Sequence, residues 1–444
     1  MYRLLRHIKT GINGGETLFL ADVNGDGKKE FIIRQSGGFY DSKFYRDDLL
    51  RFTEYYHSAE LTEDNAQLLQ LTCMSQEGDV LWQYGKPWTD ERPYISHASK
   101  DMTTAADINN DGITEILYIR KDELFVINGE TGKYINSIQL PTEAFNLITC
   151  QKMGDHYHII VKCNGESEYG YGKPLLAYDH NLDLLWQQED MKGAGHNIVC
   201  MDVDGDGFDE IFEGYSLIDH DGTILWSHDF PSHADQIVVC DINGDGVLEV
   251  IYCTDFMDFF ILDVHGKILF SSKEFIHPQQ VSIGKFEESD TYHIFLNNKA
   301  CDGGSFMLDC NGKVVWDFPC NGYSYTIKSQ IKDYLLFCPQ PGRLEEKDRT
   351  TLIDRSRQLG YTHMPLSKGD NDQPFVIDGS GKICYQFDCL ESCVDIDKWN
   401  LPRFIQNYYG AGFDAFIEDI DHDGEDEIIL YNRKNIWIYH KEIK

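Results

Sequence analysis

The sequence predicts an all-β fold, an eight-bladed β-propeller, and three observations predict it. An acidic turn recurs five times, a hydrophobic hairpin recurs seven times, and long helical periodicity is scarce in the 444 residues.

The acidic turns run Asp22–Glu30, Asp107–Glu115, Asp202–Glu210, Asp241–Glu249 and Asp419–Glu427. Each places an oxygen side chain first, third, fifth and ninth. The four sets after Asp22, Asn24, Asp26 and Glu30 are Asp107, Asn109, Asp111 and Glu115; Asp202, Asp204, Asp206 and Glu210; Asp241, Asn243, Asp245 and Glu249; and Asp419, Asp421, Asp423 and Glu427. Gly stands sixth. A hard cation such as Ca²⁺ takes these ligands, and the Gly permits the sharp turn. The closing acid comes three places earlier than in an EF-hand. Apolar strand material such as Phe31-Ile-Ile or Ile428-Ile-Leu follows it, not a helix. The expectation is several structural Ca²⁺ ions in turns between strands.

The hairpin is clearest at Leu217–Trp226, Leu262–Phe270 and Leu308–Trp316. Weaker copies run Cys73–Trp82, Val126–Tyr134, Ala177–Trp186 and Val376–Tyr385. Gly or Asn marks each turn, except that the copy at Asn181-Leu182 lacks the Gly. Asp202 and Asp241 lie 39 residues apart, about one blade of four strands. The 95 residues from Asp107 to Asp202 suit two blades, and the 178 from Asp241 to Asp419 suit four. Seven hairpins and one last incomplete unit give eight blades, with seven as the nearest alternative. Tyr2–Ile8 supplies the missing outer strand of the last unit and closes the ring. The whole of 1–444 then reads as one propeller domain. Insertions fall at about 36–71, with helical turns expected between Ser42 and Leu71, and at about 342–372.

The net charge is −35, which argues against nucleic acid and anionic membrane as partners. The 13 cysteines form no Cys-x-x-Cys pair, consistent with reduced core thiols in a cytoplasmic protein. The N-terminus carries no apolar segment of the signal-peptide kind, and no apolar run is long enough to span a membrane.

The richest local pattern lies between residues 193 and 255. Gly193-Ala-Gly-His196 leads into the third acidic turn, Ser232-His233-Ala-Asp235 into the fourth, and Asp255 follows the next strand. In a propeller, the residues before such a turn form the innermost strand, so His196 and His233 enter from adjacent blades. Asp235 falls two residues after His233 and on the same side of the strand. His196, His233, Asp235 and Asp255 thus make a candidate divalent-metal site, for Ca²⁺ or for Mn²⁺ or Zn²⁺.

This stretch resembles the rhamnogalacturonan lyases of polysaccharide lyase family 11, whose members carry a His-Asn segment, an acidic loop, an Ile-Asp-x-Asp-Gly hairpin and then Gly-His-Gly-Asp. The resemblance implies an eight-bladed propeller with many Ca²⁺ ions. It also implies that His196, His233, Asp235 and Asp255 hold a Ca²⁺ in the active-site cleft. The chain departs from the pattern with Ser-His-Ala-Asp, and with Asp255 where Glu is expected. The activity implied is metal-assisted β-elimination on a uronate-containing chain. The N-terminus without a signal-peptide segment points to an anionic oligosaccharide already imported into the cell as its substrate.

Elimination needs the uronate carboxylate neutralised and a base for the C5 proton. Arg92, His97 and Lys100 are the preferred source of the base, and Tyr325 is a further candidate. Tyr94, Trp88, His277, Tyr323 and Tyr408 are candidates for sugar binding, because aromatic faces stack on sugar rings. Two other classes compete. One is a non-catalytic carbohydrate-binding or interaction propeller with structural Ca²⁺, like integrin heads and lectins. The other, weaker, is a glycoside hydrolase with paired carboxylates.

Overall fold

The structure is a computed structural model. It describes residues 2–15, 17–36, 69–87, 103–120, 122–142, 145–163, 167–254, 258–275, 277–288, 290–298, 304–318, 322–339, 373–387, 391 and 413–442. These divide between two compact units, Ile8–Asp229 and Met1–His7 with Phe230–Lys444. Strands are numbered in chain order from β1 (Tyr2–Lys9).

The Ile8–Asp229 unit holds four sheets. They are β2 Thr17–Ala21, β3 Glu30–Ser36, β4 Leu69–Met74 and β5 Val80–Gly85; β6 Thr103–Ala106, β7 Glu115–Arg120, β8 Glu123–Asn128 and β9 Tyr134–Gln139; β10 Phe145–Met153, β11 His156–Cys163, β12 Leu175–Tyr178 and β13 Leu184–Gln188; and β14 Ile198–Met201, β15 Glu210–Glu213, β16 Ser216–Ile218 and β17 Ile224–Ser227. The other unit holds β18 Ala234–Cys240, β19 Glu249–Thr254, β20 Phe259–Asp263 and β21 Ile268–Ser272; β22 Pro278–Gly284, β23 His293–Asn298, β24 Ser305–Asp309 and β25 Val314–Phe318; β26 Gly322–Ile327, β27 Tyr334–Pro339, β28 Phe375–Ile377 and β29 Ile383–Gln386; and β30 Asp414–Glu418, β31 Glu427–Asn432 and β32 Asn435–Lys441. The last sheet is completed by β1, outermost and hydrogen-bonded to β32. His7 anchors this strand: its Nε2 lies 2.9 Å from Asn435 Oδ1, and its ring stacks on Trp437.

Eight four-stranded blades make the fold an eight-bladed β-propeller, not a seven-bladed one. One spacing is corrected. Asp241 and Asp419 open the first turns of the sheets begun by β18 and β30, which are three blades apart and not four. The extra length lies between β27 and β28 and between β29 and β30. The expected insertion at 342–372 lies outside the described residues, as does most of 36–71. Leu69–Leu71, expected in helical turns, are the start of β4, where Leu69, Leu71 and Cys73 alternate with polar residues as a strand requires.

Several second strands are deeply buried. β7, β15, β19, β23 and β31 are buried from the first residue, including Glu115, Glu210, Glu249 and Glu427. Core clusters join consecutive blades: Ile116, Tyr118 and Ile127 pack with Ile32 and Leu71, and Phe295 and Phe318 pack with Phe337 and Phe375.

The seven hairpins join the third and fourth strands, and each carries a register shift near its turn. In six of them a positive-φ Gly takes the turn, for example Gly222 and Gly312. In the seventh, Leu182 takes that conformation at φ 70 and is buried in the core. At Gly132, Gly222, Gly312 and Gly381 the glycine also seats a ring from the preceding blade. A Cβ on Gly222 would lie 2.8 Å from the Trp186 ring, one on Gly312 2.5 Å from Phe270, and one on Gly381 3.2 Å from Trp316. Trp82, Trp186 and Trp316 each donate their indole N–H to a carbonyl of the next turn. Among the described residues, no helix is long and apolar enough to cross a membrane.

Candidate active site and metal centres

The five acidic turns share one hydrogen-bond pattern. The first Asp accepts the N–H of the sixth-place Gly: Asp22 from Gly27, Asp107 from Gly112, Asp202 from Gly207, Asp241 from Gly246 and Asp419 from Gly424, at 2.8–3.0 Å. The third residue (Asn24, Asn109, Asp204, Asn243 or Asp421) accepts from the fifth. The fifth residue (Asp26, Asp111, Asp206, Asp245 or Asp423) accepts from the seventh. The closing glutamate accepts the N–H of the second residue.

Glycine is needed at the sixth place, where φ runs from 85 to 94. Each closing carboxyl is pushed above the usual carboxylate range, first by burial and then by neighbouring aspartates: Glu30, Glu210, Glu249 and Glu427, and Glu115 up to about 7. A buried acid among acids is the environment that a bound cation relieves. The donor set, oxygen throughout the turn, therefore fits a hard divalent ion.

The second candidate centre sits at the start of β18. Ala234 pairs with Thr254 and Gln236 with Cys253, so Asp235 is the extra, bulged residue. Bulges re-aim side chains, often beside active sites. The Asp235 side chain is 2 % exposed and lies between two imidazoles. His233 Nε2 is 3.4 Å from Oδ1, and His277 Nε2 is 3.0 Å from Oδ2. Both histidines are held by unusual backbone. His277 itself has φ 54, and Ser232, just before His233, has φ 68, a region that costs non-glycine residues energy and that clusters at functional sites. Below them, burial pushes the Cys253 thiol up, and the charge of Asp235 adds to the effect. A carboxylate flanked by two imidazoles is a mixed oxygen–nitrogen donor set.

His196 belongs to the other unit, where its segment is fixed from beneath. Lys162 and Glu213, both fully buried, form an ion pair. Lys162 Nζ donates to the carbonyl of Gly195, and Gly195 N–H donates to Glu213 Oε1 at 3.3 Å. Gly193 has no room for a side chain, since a Cβ would meet the Tyr215 ring at 2.1 Å. The His196 ring meets the edge of Tyr171, with centroids 6.4 Å apart.

The structure brings together His233, Asp235 and His277, the last expected only as a sugar contact. Tyr323 and Tyr325 share one face of β26. The Tyr325 hydroxyl donates to Asp414 Oδ1, and Tyr431 donates to Oδ2 at 3.2 Å. Burial holds the Tyr325 phenol well above its usual range, so this hydroxyl is poorly suited to take a proton. Trp88, Arg92, Tyr94, His97, Lys100, Asp255 and Tyr408 lie outside the described residues. Lys162 and Glu213 escaped the sequence reading, although a lysine inside the apolar run Ile159-Ile-Val-Lys-Cys163 marks a partner that the chain must supply.

No family model matches the chain, and no curated protein matches it. Solved structures do. An exotype rhamnogalacturonan lyase, YesX, superposes with a TM-score of 0.65 at 17% identity, covering 96% of this chain and 72% of that one. A Bacillus licheniformis rhamnogalacturonan lyase of family PL11 gives 0.60 at 13%, covering 96% and 72%. The V. cholerae biofilm matrix protein Bap1 gives 0.59 at 9%, covering all of this chain and 91% of that one. At these identities the likeness is one of fold.

Proposed function

We propose that the chain is a polysaccharide lyase that cleaves uronate-containing, rhamnogalacturonan-like chains by metal-assisted β-elimination. One observation carries the reading: Asp235, bulged and buried between His233 and His277, in a fold shared with solved rhamnogalacturonan lyases. Asp255 joins this centre in the proposal on its place in the sequence. A divalent cation held there would neutralise the uronate carboxylate and make the C5 proton removable. The His233 imidazole and the Asp235 carboxylate would each offer such an ion a donor atom. Asp235 also holds the His277 ring, whose Nε2 lies 3.0 Å from its Oδ2. In the elimination the C5–H bond breaks, C4=C5 forms, and the C4–O4 bond breaks with a proton delivered to the leaving oxygen. The base in this reading comes from Arg92, His97 or Lys100.

The test is incubation with rhamnogalacturonan oligosaccharides, with product followed by the ultraviolet absorbance of the unsaturated uronate. Appearance of that chromophore supports the reading. Tight binding with no chromophore favours the second reading, a non-catalytic carbohydrate-binding propeller with structural Ca²⁺, to which the likeness to a biofilm matrix protein lends weight.

A further inference from the structure

The five acidic turns are not equivalent at the closing glutamate. In the first and fourth, its Oε1 accepts the side-chain amide of the third residue, Asn24 at 3.0 Å and Asn243 at 2.8 Å. In the third and fifth that residue is Asp204 or Asp421, which has no N–H to give. In both of these turns an imidazole comes up to the glutamate instead. For the third it is His220, grouped with Asp219 and Glu210 apart from the trio Asp202, Asp204 and Asp206. The fifth is the complete case. Tyr439 on β32 faces Ile428, so His440 comes level with Glu427, and its Nδ1 lies 3.1 Å from Oε1. Donor atoms of Asp423, Glu427 and His440 lie within 4.8 Å of one another, as do those of Asp419, Asp421 and Glu427. Glu427, 2 % exposed, belongs to both groups.

A gap of 3.1 Å between a nitrogen and an oxygen is what two ligands, each about 2.1 Å from one ion, show when they subtend about a right angle. In the turns begun by Asp107 and Asp241, the residues facing the closing glutamate are Asn128 and Asp263, which offer oxygen. Ca²⁺ prefers oxygen ligands, whereas an imidazole is the commoner ligand of Zn²⁺, Co²⁺ and their neighbours.

We propose that the fifth turn, Asp419, Asp421, Asp423 and Glu427 with His440, binds a transition cation of the Zn²⁺ or Co²⁺ kind in preference to Ca²⁺. The site is independent of the lyase reading. The test uses the full chain, stripped of metal and dialysed to equilibrium against Co²⁺ with Ca²⁺ in excess. The parent is compared with His440→Leu and with Asp421→Asn, which rebuilds the amide contact of the first and fourth turns and so should fold. The expected result is that, with Ca²⁺ in excess, the parent retains one equivalent of Co²⁺ more than either variant, and that both variants bind that equivalent at least tenfold more weakly. Equal Co²⁺ retention in the parent and in Asp421→Asn would overturn the proposal, as would complete displacement by Ca²⁺ in the parent.

Discussion

Asp235 shows how much one residue's placement decides. It lies in a strand of otherwise regular pairing, yet the bulge turns it into a buried position where both of its oxygens meet an imidazole. Replacing His233 with Ala removes one of those partners and leaves the strand pairing untouched. On the proposed lyase reading, the expected outcome is loss of turnover with a shift in melting temperature of no more than a few degrees. A large loss of stability with turnover per folded molecule intact would make the cluster purely structural. Lys162 is the opposite kind of residue. Lys162→Met leaves Glu213 charged and unpaired in the core, a loss of about 3–5 kcal/mol. The double variant Lys162→Met/Glu213→Leu should recover most of it, as measured by denaturant unfolding. The Asp–His pattern was legible in the sequence because the residues are close together and chemically distinctive. The role of His277 was not, since a contact across 42 residues depends on how two first strands lie together, which no local pattern encodes.

Acidic turns and hairpins were the most legible elements, because each is set by residues within a few places of one another. Titration of the turns follows from their burial. Glu115, raised to about 7, holds its proton better folded than unfolded. A carboxyl raised in this way contributes stability below the ordinary carboxylate range and loses it as pH rises through about 7. Metal-stripped protein should therefore melt at lower temperature at about pH 8 than at about pH 5.5. With Ca²⁺ in excess the trend should flatten or reverse, because the ion favours the carboxylate. A melting temperature in chelator that does not fall with pH would count against this. The ring on the next blade's glycine is the other recurrent element. Trp316→Ala removes both the packing on Gly381 and the N–H bond to Gly379, at a cost of about 2–4 kcal/mol by thermal or chemical denaturation. What the elements hid was their spacing: the turns begun by Asp241 and Asp419 bracket three blades, because chain length between strands varies freely on a surface.

At the scale of the whole chain, the eight blades and the outer place of β1 were both legible. The first followed from counting hairpins, the second from an unmatched amphipathic strand at the start and an incomplete unit at the end. Removing residues 2–9 leaves β32 with an unpaired edge and takes the Tyr2 ring from Tyr385 and Phe387. The truncated chain should be insoluble or melt far below the parent; a soluble, cooperative fold with an unchanged melting temperature would show that the strand is dispensable. The substrate of the proposed activity was not legible, since substrate choice rests on side chains that no local pattern brings together, at identities to solved lyases too low to carry it across.

The pairing of β1 with β32 also has a consequence in time. His7 meets a partner 428 residues away, so the blade that β1 completes cannot form until β32 has been made. On the ribosome, β1 emerges ahead of the other described strands and must wait, edge exposed, until then. Contacts this distant are the slowest to find. Completion of that blade is therefore expected as the last step of refolding, detectable as a late phase in the fluorescence of Trp437, and a chain stalled short of β32 should keep its earlier sheets while offering β1 to any strand that passes.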